Sequence, residues 1–262
     1  MLEIVFVSMT LIISWVLSFI FIPRGAIGAT VIIMMIPAIL GCIIKIIKYK
    51  SIKEVFKPLL HRISIKGIMF SFVFPIIIIG LCSILALITG VGSIANYDGS
   101  IPQILTIIVM SVPFSIVTLG EEYGWRGYLL VEWEETYGLK KSNILVGIVW
   151  ILYHLPTLYM MNLSYGISEA LIFTIVQSIC IFCVNFSYTY LYTLSKNVLL
   201  VSMMHSVWNN INTLILGDTY RNEATGLIDG NVKVINGEGI FGMIFLIISA
   251  FIFYKVLFGK PK

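Results

Sequence analysis

Residues 67–90 read GIMFSFVFPIIIIGLCSILALITG, twenty-four positions without a charge. At 1.5 Å per residue, a helix of that length extends about 36 Å, enough to cross a hydrocarbon core of roughly 30 Å. Seven further stretches carry the same signal: 3–22, 26–47, 101–130, 144–161, 168–194, 198–216 and 239–258. The chain is 262 residues long, 59% hydrophobic and 11% charged, with a mean hydropathy of +1.00. Such a composition excludes an ordinary soluble core. The expected fold is all-α, a polytopic membrane bundle of about eight transmembrane helices forming one membrane domain over 1–262.

The breaks between spans are legible. Pro23-Arg24-Gly25 forms a compact turn between the first two. Residues 1–22 lack a basic leader and a small-residue cleavage site, and are read as a retained span. Residues 48–66 carry Lys48, Lys50, Lys53, Lys57, Arg62 and Lys66 between Ile52, Val55, Phe56, Leu59 and Leu60. That pattern predicts a basic amphipathic helix lying on anionic lipid. The segment 101–130 is long for one crossing; Pro113 is expected to kink it, with Gly120, Gly124 and Gly127 loosening its second half. Pro102 suits its start.

Charge sets the orientation. With 48–66 placed in the cytoplasm, eight spans put both termini there too. Lys45, Lys48, Lys50, Lys53, Lys57, Arg62, Lys66, Lys140, Lys141, Lys196, Lys255, Lys260 and Lys262 then share that side. Only Arg24, Arg221 and Lys233 fall opposite, the last two in the polar 217–238 loop, which is expected to be external. Lysine far outnumbers arginine and isoleucine is abundant, a usage that points to an AT-rich genome and a bacterial cytoplasmic membrane. Cys42, Cys82, Cys180 and Cys183 all sit in apolar segments and read as small core side chains. Nothing points to nucleic acid; the expected partners are membrane lipid and a membrane-associated peptide or protein.

Five ionisable residues remain inside or at the edges of spans: Glu121, Glu122, Arg126, His154 and His205. Each costs several kcal/mol in hydrocarbon unless it finds a partner or a wet cavity. Convergence on one polar site relieves all of them together. Glu122 and Arg126 are four apart and can pair on a helix. Glu121 lies about 100° round the same helix and is expected to be unpaired, free to act as a general base. Trp150 is one turn before His154 and can wall a pocket. Asn209 is one turn after His205 and can orient it or bind an oxyanion. All fall in the basic half of the bundle or near its middle, so a cavity opening toward the cytoplasm or inner leaflet is expected. Two chemistries suit the set: Glu121, His154 and His205 holding a divalent metal such as zinc that activates water, or metal-free hydrolysis with Glu121 as base. No HExxH motif supports the zinc form. A proton-coupled transporter and a non-catalytic immunity or scaffold protein are the alternatives from other classes.

Together the three clusters resemble the CPBP family of intramembrane proteases, also called the Abi or CAAX prenyl protease 2-like family. Its pattern is EExxxR, FxxxH and HxxxN/D. Here these appear as Glu121-Glu122-Tyr-Gly-Trp-Arg126, Trp150-Ile-Leu-Tyr-His154 and His205-Ser-Val-Trp-Asn209, with Trp150 in place of the usual Phe. The motif region spans about 101–216. The resemblance implies an endopeptidase in which Glu121 activates water, His154 and His205 complete the centre, and Asn209 serves the oxyanion. It implies an architectural role for Glu122 and Arg126. It also implies a CAAX-type, metallo- or glutamate-dependent protease, and for bacterial members a link to bacteriocin immunity or peptide maturation.

Overall fold

A computed structural model describes residues 1–26, 28–95 and 101–259, without the side chains of 101–104. Lys260 and Lys262 of the charge tally lie outside the described residues. The long helices are α1 (Leu2–Phe21), α2 (Ala29–Tyr49), α4 (Ile65–Thr89), α5 (Ile101–Glu122), α6 (Leu130–Asn162), α7 (Ile167–Ser195), α8 (Val198–Leu216) and α10 (Ile240–Phe258). Two short helices, α3 (Lys53–Phe56) and α9 (Val232–Ile235), and a two-stranded antiparallel pairing complete the architecture. The strands are β1 (Gly92–Ile94) and β2 (Ile228–Gly230), with Ser93 opposite Asp229. The chain is an all-α polytopic bundle.

Six helical stretches are long and apolar enough to cross a membrane. One of them, Leu105–Tyr165, has 61 residues, about 90 Å as a straight helix and far too long for one crossing. It doubles back at Gly138, whose φ of 73° and ψ of 157° leave the helical region. Ser142 Oγ donates to the Gly138 carbonyl at 2.9 Å just after the break. The expected spans 101–130 and 144–161 are therefore separate passes. Helix α8 is not among the six, because Ser202, His205, Ser206, Asn209, Asn210 and Asn212 dilute its apolar content. It packs against α4, α5 and α7 instead of presenting itself to lipid. Polar side chains knit this interior: Thr118 Oγ1 donates to the Ser202 carbonyl at 2.8 Å, and Ser18 and Thr157 share a 2.8 Å bond.

Two expectations about the backbone are corrected. Residues 48–66 do not form one amphipathic helix. Helix α2 ends with Lys50 in the left-handed region, α3 lasts four residues, and Pro58 sits in a single 3-10 turn. The apolar residues Ile52, Phe56 and Leu60 are nevertheless exposed beside the lysines, so the lipid-facing composition survives the loss of the helix. The loop is pinned instead by Asn197, whose Nδ2 donates to the His61 carbonyl at 2.5 Å while its Oδ1 caps α8 at Leu199 N, 2.8 Å.

The second correction concerns α5. It runs through Pro113 as one helix, and the irregularity comes later, as a π-helical stretch from Tyr123 to Leu129. Gly120 and Gly124 do not loosen this region; they let it touch α2. A Cβ on Gly120 would stand 2.4 Å from the Met34 carbonyl oxygen, and one on Gly124 2.3 Å from Pro37 Cβ. Small residues four apart permit such close helix contact. Pro37 has no N–H and frees the Ile33 carbonyl, which accepts the Tyr153 hydroxyl at 3.0 Å. The glycine contact and the proline thus fix α2, the π stretch and α6 together.

Candidate active site

The end of α5, the middle of α6 and the middle of α8 bring the three sequence clusters together. Glu121 and Glu122 are successive residues, and each carboxylate meets a different histidine. Glu121 Oε2 accepts from Trp150 Nε1 at 2.8 Å and stands 3.5 Å from His154 Nε2. Glu122 Oε1 contacts His205 Nδ1 at 2.9 Å, and its Oε2 accepts from Arg126 Nη1 at 2.8 Å. Both carboxylates are buried, His205 is 8% exposed, and His154 is partly open to the cavity. Trp150 stands between the pairs, its ring centroid 6.1 Å from that of His154 and 5.9 Å from that of His205.

Glu121 is therefore not the unpaired carboxylate expected from helical spacing. The hydrogen bond from Trp150 fixes one of its oxygens, and the 3.5 Å gap to His154 exceeds a good direct hydrogen bond. The Glu122–Arg126 pair forms as expected. Asn209 does not orient His205; Glu122 does. Asn209 is exposed to the cavity and has no hydrogen-bond partner among the described residues.

A supporting layer from α7 was missing from the sequence reading. Arg126 Nη2 donates to Asn185 Oδ1 at 2.8 Å, and the guanidinium lies 4.4 Å over Trp150 and 4.9 Å over Tyr188. Asn185 Nδ2 in turn donates to the backbone carbonyl and side-chain oxygen of Asn143, which also accepts from Thr189 Oγ1 at 2.6 Å. The chain Glu122–Arg126–Asn185–Asn143 ties α5, the π stretch, α6 and α7 into one unit. Two uncommon polar residues within an apolar span, Asn185 and Gln177, were the available signal.

These groups line a cavity of about 300 Å³. Its deep wall holds Glu121, His154 and His205; its outer wall holds Trp208, Asp218, Tyr220, Arg221 and Glu238. It opens at the end of the bundle that carries the 217–238 loop, not at the basic end as expected. Toward the basic end, Tyr123, Trp125, Arg126, Tyr128, Leu129 and Leu130 are all at most 3% exposed and seal the floor. Among the described residues, no three His, Cys, Asp or Glu side chains are disposed as a metal ligand set. Glu122 takes His205 Nδ1 and Trp150 takes one Glu121 oxygen, outer contacts of the kind that metal-ligating side chains commonly keep.

Residues 102–211 match the family described as type II CAAX prenyl endopeptidase Rce1-like. Over that stretch the chain is similar to the CPBP family. All the residues singled out from Glu121 to Asn209 lie inside the matched region. A relative from Methanococcus maripaludis named CAAX prenyl protease 2 is 26% identical over 192 residues, 69% of this chain. The chain spans 64% of that relative's length.

Proposed function

We propose that this chain is an intramembrane endopeptidase that hydrolyses a peptide bond of a membrane-associated peptide or protein. The observation that carries the reading is the pair of Glu–His contacts at the buried end of a cavity large enough for an extended peptide segment. The match to an endopeptidase family supports this chemistry over the transporter and scaffold alternatives.

In this reading a water lies beside Glu121 Oε2 and His154 Nε2, which stand 3.5 Å apart, within hydrogen-bond reach of both. Glu121 takes its proton as the oxygen attacks the scissile carbonyl, and a C–O bond forms. A His205 ring protonated on both nitrogens donates Nδ1–H to Glu122 and Nε2–H to the oxyanion, with the Asn209 amide as second donor. Collapse breaks the C–N bond, and Glu121 returns the proton to the leaving amine. Trp150 keeps Glu121 turned toward the water. Glu122, Arg126 and Asn185 position His205 and touch no reacting atom. Bacteriocin immunity and peptide maturation are biological settings that such an activity would serve.

The test is turnover of a quenched membrane-peptide library by purified protein in detergent, with products analysed after reaction in ¹⁸O water. Incorporation of one ¹⁸O into the new carboxylate supports water attack. A well-folded protein that cleaves nothing, or cleaves equally well as Glu121→Gln, would overturn the reading. Sensitivity to a chelator, restored by zinc, would require Glu121, His154 and His205 to rearrange around a metal.

A further inference from the structure

Cavity direction and charge asymmetry, taken together, say where the substrate comes from. His205, Asn209 and Thr213 lie on one face of α8, one turn apart. His205 is buried, whereas Asn209 and Thr213 are exposed and line the cavity. This polar stripe climbs from the Glu–His pairs to Asp218 and Tyr220 in the loop after α8. Below the pairs the bundle is closed by the sealed floor from Tyr123 to Leu130. The chamber therefore has its mouth at one end of the bundle.

That end is the one poor in lysine and arginine. Among the described residues only Arg24, Arg221 and Lys233 fall there, and eleven lysines and arginines fall at the sealed end. Cytoplasmic loops carry the Lys/Arg excess in membrane proteins, so the mouth faces away from the cytoplasm. Charge within the chamber has a matching bias. Its walls present the carboxylates of Glu121, Asp218 and Glu238 against the single guanidinium of Arg221, which pairs with Asp218 at 3.6 Å. Glu238 is held at the mouth by Trp208 Nε1 at 3.2 Å.

We propose that the site is loaded from the outer face of the membrane, through the mouth formed by α8 and the 217–238 loop, by a peptide segment carrying positive charge. This rests on the endopeptidase reading for what happens to the peptide, but not for how it enters. A segment entering this way arrives from outside the cell or after export. The reaction that supplies it is then a secretion step, and not synthesis at the cytoplasmic surface.

Thiol labelling tests entry without requiring turnover. Thr213→Cys places a thiol inside the mouth, and Lys53→Cys places one at the basic end; the native cysteines are buried or half-buried. Both variants are expressed in bacterial spheroplasts and treated with a membrane-impermeant maleimide, with wild-type labelling subtracted. Thr213→Cys is expected to label in intact spheroplasts and Lys53→Cys only after permeabilisation. The reverse pattern would overturn the access assignment. A lysine-rich decapeptide is expected to slow labelling of Thr213→Cys several-fold more than a glutamate-rich one of equal length, and equal protection would overturn the charge assignment. If labelling follows expectation while purified protein cleaves no peptide, the entry route stands and the endopeptidase reading fails.

Discussion

Replacing Arg126 by methionine removes the hub of the buried network while keeping side-chain length. Arg126 is fully buried. It donates to Glu122 and to Asn185, each at 2.8 Å, and stacks on Trp150 and Tyr188 at 4.4 and 4.9 Å. The variant leaves Glu122 as a buried charge facing only His205 and leaves Asn185 Oδ1 without its donor. Breaking a buried pair from one side costs about 3–5 kcal/mol. At about 2–4 °C per kcal/mol for a chain of this size, the melting temperature in detergent falls by about 6–20 °C. Arg126→Lys keeps a charge but loses the two-pronged, flat geometry, so its melting point should lie between those of methionine and wild type. The double variant Glu122→Gln, Arg126→Met no longer buries an orphan charge. It should be more stable than the sum of the two single losses by about 1–3 kcal/mol. The assay is thermal unfolding followed by near-UV circular dichroism. A melting point for Arg126→Met within about 2 °C of wild type, or strictly additive losses in the cycle, would refute the reasoning.

Three further outcomes follow from contacts around the site. Gly124→Ala drives a methyl against Pro37, 2.3 Å away, and should cost about 1–3 kcal/mol by overpacking; unchanged unfolding would show that α2 and the π stretch are free to separate. Trp150→Phe keeps the aromatic wall but deletes the 2.8 Å donation to Glu121; kcat should fall about tenfold or more with KM little changed, measured on any cleaved peptide. Asn185→Leu removes the acceptor for Arg126 and the donor to Asn143. Unsatisfied buried groups of this kind cost about 1–3 kcal/mol each, and Asn185→Asp should recover more of the melting temperature than Asn185→Ala.

Much of this arrangement is legible in the sequence because hydrocarbon punishes polar residues. A chain that keeps Glu121, Glu122, Arg126, His154 and His205 in apolar surroundings has to gather them, and the structure does so. The i, i+4 spacing of Glu122 and Arg126 led directly to their contact. Glu121 escaped the same logic because its partners, Trp150 and His154, come from another helix 29 and 33 positions later. Its pairing depends on the reversal at Gly138. Asn185 and Asn143 were missed for a like reason: they matter only through a guanidinium that has more donors than Glu122 can accept. Gly120 and Gly124 were misread because looseness and close packing demand the same residue, and only the position of Met34 and Pro37 decides between them. The segment 48–66 kept its basic and apolar composition but lost its helix to the left-handed residue Lys50 and the 3-10 turn at Pro58. The direction of the cavity has no sequence signature short of the floor residues, whose burial depends on how α1 and the π stretch meet through Phe6, Trp125 and Tyr128.

The central claim is that Glu121 activates water for peptide hydrolysis while its neighbours hold the site in shape. The most direct measurement compares single-turnover cleavage of one library-derived peptide by wild type and by Glu121→Gln, with the melting temperature of each recorded. The account predicts a loss of at least about a thousandfold in rate with a melting point at or above that of wild type. A Glu121→Gln protein that is equally folded and still cleaves within about tenfold of wild type would contradict it.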